Sequence, residues 1–89
     1  MRLTQKQLDR IEGLRLEWGL ADQQVCQHVT GWATMSARAG IERAFYRRIN
    51  DVCDPDHELS IEDAVVAGQM WWKDIQREAF LNLREESRA

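Results

Sequence analysis

Eighty-nine residues with a net charge of −3, 44% hydrophobic and 30% charged side chains make one folded domain and exclude a disordered chain. No apolar run approaches the ~18 residues of a membrane span, two cysteines are too few for a disulfide scaffold, and the acidic balance excludes a globally basic nucleic-acid binder. The polar opening MRLTQKQLDRIEG holds no signal-peptide core, so a cytoplasmic location is expected.

One proline, five glycines and no alternating β-branched runs predict an all-α chain, a single small bundle of about four helices over residues 1–89. Thr4 with Gln7 forms a capping-box pattern, and Leu8, Ile11, Leu14 and Trp18 recur at helical spacing until Gly19, predicting a first helix from Thr4 to Trp18. Asp22 caps a short second helix through Thr30, with Val25, Cys26 and Val29 on one face and Gly31 at its end. Ser36 caps a third helix in which Ala37, Ile41, Ala44, Phe45, Ile49 and Val52 form a stripe and Arg43 and Arg47 project from the other side. Asp54, Pro55 and Asp56 form a turn, because proline lacks an amide proton and restricts the residue before it. Ser60 then caps a fourth helix, with Glu62 and Asp63 at its positive end.

That last helix is predicted from Ile61 to Glu85, roughly 37 Å at about 1.5 Å per residue and longer than the rest of the bundle requires. Ile61, Val65, Gly68, Trp72, Ile75, Ala79 and Leu83 make its core stripe, widened by Ala64 and Trp71. Val66, Met70, Phe80 and Leu81 fall outside the stripe, a second apolar face available to a partner or to a homodimer, with Trp71 at its edge.

Charge is segregated along the chain. Arg38, Arg43, Arg47 and Arg48 precede a run of Asp51, Asp54, Asp56, Glu58, Glu62 and Asp63 that contains no Lys or Arg. The acids at 51, 54, 56, 58 and 62 are candidates for docking a protein partner that carries a basic, nucleic-acid-binding groove. Arg38, Arg43 and Arg47 are the candidate nucleic-acid contacts of the alternative, a helix-turn-helix-like regulator, although Gly31 to Met35 is long for that motif's turn.

No catalytic signature is present, and neither a cofactor nor a metal is expected. Cys26, His28, Cys53 and His57 raise a Cys2His2 zinc site, but helical residues two apart diverge by about 200°, so Cys26 is expected inside and His28 in solvent. Asp54, Asp56 and Glu58 imitate the start of a calcium loop, with Leu59 where the turn glycine belongs and Val65 where the closing glutamate belongs. The Trp71–Trp72 pair offers a stacking platform, or simply two rings for the core.

The segments LTQKQLDRIEGLRLEWGLADQ and ELSIEDAVV resemble small helical accessory proteins of bacteriophages, including the Mu-type GemA family. The resemblance covers about residues 3–24 and 58–66, while residues 32–57 and the Trp pair depart from the pattern. It implies a mobile-element origin and a role among phage or host nucleic-acid machinery, and it carries over no functional residue. Together these features predict a non-enzymatic helical protein-binding module that inhibits or modulates a bacterial nucleic-acid-processing or defence complex.

Overall fold

The computed structural model describes residues 3–28, 31–56 and 58–88, without the side chains of Ala33, Phe80 and residues 82–88. Three helices, and no strand, occupy the described residues: α1 (Gln5–His28), α2 (Trp32–Cys53) and α3 (Ile61–Arg88). The chain is all-α and its C-terminal helix is the longest, at 28 residues. None of these helices is long and apolar enough to cross a membrane.

Three helices replace the four expected because the first two are one. Gly19 lies on an open flank of α1, where an added Cβ would meet nothing within 4 Å. It therefore costs that helix only about 1 kcal/mol of propensity. Asp22 does not cap; it sits inside α1, its Oδ1 2.8 Å from Arg38 Nε in an ion pair. The chain turns at Gly31 instead, where φ 66° and ψ −139° define a backbone region that side chains with a Cβ rarely enter. Helix α2 accordingly begins at Trp32 rather than beside Ser36, and the Gly31 carbonyl accepts the Thr34 amide at 3.1 Å and the Met35 amide at 3.3 Å.

Two of the four expected caps, at Thr4 and Ser60, are present. Gln7 Oε1 accepts the Thr4 amide at 2.9 Å while the Gln7 amide donates to Thr4 Oγ1 at 3.2 Å. The same Gln7 reaches across the fold, donating from Nε2 to the Val52 carbonyl at 3.1 Å, which satisfies an orphan acceptor in the last turn of α2. Ser60 Oγ accepts the Asp63 amide at 3.2 Å and starts α3.

Helix α2 is the centre of the molecule. Both α1 and α3 pack on it, whereas the described backbones of α1 and α3 do not come within 8 Å Cα–Cα of each other. The buried apolar residues are Ile11 of α1, Phe45 and Ile49 of α2, and Ala64 of α3. Phe45 joins all three helices: its ring centroid is 5.5 Å from Trp18 and 5.2 Å from Trp72, the latter edge-to-face. Leu14, Val52, Trp71 and Ile75 pack around this centre. Cys26, expected inside, is exposed near the end of α1.

The core is thin for the length of chain. A Cα radius of gyration of 14.9 Å exceeds the ~12 Å of a compact chain of this length. Exposed area is 7018 Å², about 1,600 Å² above the ~5,400 Å² expected of a folded 10.4 kDa monomer.

The tightest contact is between α2 and α3 at Gly68. A methyl group there would overlap the Tyr46 carbonyl oxygen and stand 2.5 Å from its carbon, so the two backbones touch and no side chain fits between them. Gly68→Ala should destabilise the chain by at least about 1–3 kcal/mol through overpacking, measured by urea denaturation. Gly13→Ala, with open space around its Cβ, should instead stabilise by up to ~1 kcal/mol, and equal effects at the two sites would contradict the close approach.

Candidate functional site

Helix α2 ends in negative charge. Asp51 lies in its last turn, Asp54 is its C-cap with the amide donating to the Asn50 carbonyl at 2.8 Å, and Asp56 and Glu58 follow in the loop before α3. A helix C-terminus already carries about half a negative charge in its unpaired carbonyls and is stabilised by cations, yet the last turn of α2 holds no basic residue. None of these four acids has an ion-pair partner among the described residues. Glu62 and Asp63 differ, because the positive end of α3 favours them.

Two of the acids, Asp51 and Glu58, line a concavity of about 360 Å³ at the α2–α3 junction, together with Arg47, Asn50, Leu59 and Ile61 among others. Asn50 is 2% exposed, and its Oδ1 has no hydrogen-bond partner among the described residues. Leu59 and Ile61 are exposed beside the carboxylates, Ile61 at 57%. The corner thus combines carboxylates that have no ion-pair partner among the described residues with two exposed apolar side chains.

Three of these lining residues escaped the sequence reading. Of the expected core stripe of α3 and its edge, Ala64 and Gly68 are buried and Val65, Trp71, Trp72 and Ile75 are half-buried, whereas Ile61, first in the helix, and Ala79 are exposed. Leu59 has no periodic signal because it lies in the loop. Asn50 left no trace either, since its neighbours in the turn include Arg47, Arg48 and Asp51.

The arginines are mostly engaged within the chain. Arg38 pairs with Asp22, Arg48 with Glu17 at 3.1 Å, and Arg43 with Glu62, so helices α1 and α3 each lend carboxylates to α2. Arg47 makes no ion pair among the described residues and borders the acidic concavity.

Of the apolar candidates, Val66, Met70 and Leu81 are exposed at 57%, 64% and 48%, on the side of α3 away from α2. Phe80 lies outside the described residues. Trp71 packs against the core, as does Trp72, whose ring is occupied by Phe45. Among the described residues no three His, Cys, Asp or Glu side chains converge as a metal site; His57 is not among them. The chain matches no protein-family model, no curated protein and no solved structure.

Two acid groups near the junction are shifted. Burial, and secondarily Asp54, push the Cys53 thiol up to about 11; burial, and secondarily Glu42, raise the Tyr46 phenol. Both shifts keep the folded chain protonated where the unfolded chain ionises. The Cys53 contribution to stability is full below about pH 9 and is lost as pH rises toward about 11, and the Tyr46 contribution falls in the same direction. Denaturation midpoints should fall over that interval, and the fall should shrink in Cys53→Ala. At pH 8 a thiol reagent should modify exposed Cys26 rapidly and Cys53 at least about tenfold more slowly, as read by mass spectrometry; equal rates would contradict the burial of Cys53.

Proposed function

We propose that this chain is a non-enzymatic helical protein-binding module whose acidic corner docks on a basic surface of its partner. The observation that carries the reading is the uncompensated negative charge at the C-terminus of α2, where Asp51 and Asp54 oppose the helix dipole. Each such misplacement costs about 0.3–1 kcal/mol in a chain with a thin core, a cost that a structural role does not explain. A partner with a groove built for nucleic acid supplies the missing cations, and Leu59 and Ile61 supply the area that leaves water. The resemblance to phage accessory proteins supports a mobile-element origin and, as target, a bacterial nucleic-acid-processing or defence complex in the cytoplasm.

The regulator reading asks more of the chain. Arg38 and Arg43 would have to leave Asp22 and Glu62 to reach phosphates, and the acids at 51–58 would repel the same backbone. Only Arg47 of the three candidates stands without an ion pair among the described residues.

The test is capture from bacterial lysate on the immobilised chain, with and without nuclease. Capture should survive nuclease, weaken as salt rises, and drop at least about tenfold in a chain with Asp51, Asp54 and Glu58 changed to Lys. Asp51→Lys alone should also raise stability by about 0.3–1 kcal/mol, because it places a cation at the helix terminus. Loss of capture on nuclease treatment, together with loss in Arg43→Glu and Arg47→Glu, would transfer the assignment to nucleic acid.

A further inference from the structure

The outer face of α3 has a pattern that the acidic corner does not use. At about 100° per residue, Asp63, Val66, Met70, Lys73, Arg77 and Leu81 share one arc of roughly 80°, opposite the Ala64–Gly68 face that lies on α2. All six are exposed, and Asp63, Lys73 and Arg77 make no ion pair among the described residues. Along the helix axis the order is acid, apolar pair, two bases, apolar. Lys73 follows Asp63 by about 15 Å and Arg77 follows it by about 21 Å, with Val66 and Met70 between.

We infer that a second copy of this chain occupies this face, with the two α3 helices antiparallel about a two-fold axis near Gly68 to Met70. The order of charges within the arc favours that direction, with exposed Asp74 lying about 20° outside it. Turned end for end, the helix of the second copy brings its Lys73 and Arg77 opposite Asp63 of the first, and the symmetry makes the same contact again. Val66 and Met70 of the two copies meet at the axis, where about half of each side chain is otherwise in water. A parallel copy would set acid against acid and base against base, which disfavours it. Nucleic acid is disfavoured by Glu62 and Asp63 at one end of the stripe, and a uniformly basic or acidic protein by the mixed sign.

A stable dimer buries about 800 Å² on each partner, and the chain as a whole exposes ~1,600 Å² more than a compact monomer of its mass. The face is also distinct from the acidic corner, since Asp51, Asp54, Asp56 and Glu58 precede α3, and the two assignments stand or fall separately.

Charge-swapped chains test this by sedimentation equilibrium, with helicity followed by circular dichroism. The unaltered chain should be dimeric at tens of micromolar and dissociate more readily as salt rises. Lys73→Glu with Arg77→Glu in one chain, and Asp63→Lys in another, should each raise the dimer dissociation constant at least about tenfold. An equimolar mixture of the two should restore the dimer, because each cross-pair then joins opposite charges. If Asp63→Lys lowers helicity at the cap, Met70→Lys takes its place as the disrupting variant, with monomer expected. A monomeric unaltered chain near millimolar concentration, dimers unaffected by the substitutions, or a mixture that stays monomeric would each overturn the inference.

Discussion

The structure depends on one aromatic ring. Phe45 is where α1, α2 and α3 meet, through Trp18 on one side and Trp72 on the other, and Ile49 one turn along α2 is fully buried beneath the same cluster. Aromatic pairs at such separations add about 0.5–1.5 kcal/mol each beyond their area, which matters when four apolar residues are buried among the described ones. The outer helices need not touch, because each contacts the central ring. Close approach of α2 and α3 at Gly68 is the complementary constraint, holding Trp72 one turn away within reach of Phe45.

An arrangement held at one junction leaves the helices free to extend beyond it. Helix α3 spans roughly 42 Å at about 1.5 Å per residue, while its buried positions lie in the half nearest α2. The excess of exposed area follows from this geometry more than from composition, since the apolar fraction is ordinary. The same geometry turns Val66, Met70 and Leu81 outward, because a helix that packs on one neighbour alone buries only one side.

Features governed by near neighbours were legible in the sequence. The Thr4–Gln7 box, the Pro55 turn and the Ser60 cap depend on residues within four positions of one another, and all three appear in the fold. Helix continuity through Gly19 was not legible, because a single glycine is a weak breaker whose effect packing decides. The stripe of α3 was placed on the side that packs inward, Gly68 included, but periodicity does not show that Ile61, first in the helix, and Ala79 stay exposed. The partners of the arginines lay further out of reach: Glu17 and Arg48 are 31 residues apart, and Arg43 and Glu62 are 19.

Those long-range pairs change the meaning of the charge segregation. In the linear sequence the arginine run and the acid run suggest two faces of opposite sign. In the fold, Arg38, Arg43 and Arg48 turn to carboxylates on α1 and α3, while Asp51, Asp54, Asp56 and Glu58 where α2 ends make no ion pair among the described residues. Exposed pairs of this kind contribute only about 0–1 kcal/mol each, so their effect lies less in stability than in register and in the sign of the remaining field. Arg38, Arg43 and Arg48 are occupied by the chain's own acids, whereas Lys6, Arg10, Arg47, Lys73 and Arg77 make no ion pair among the described residues. Which charges the helix packing leaves unpaired is a quantity that net charge and linear patterning do not contain.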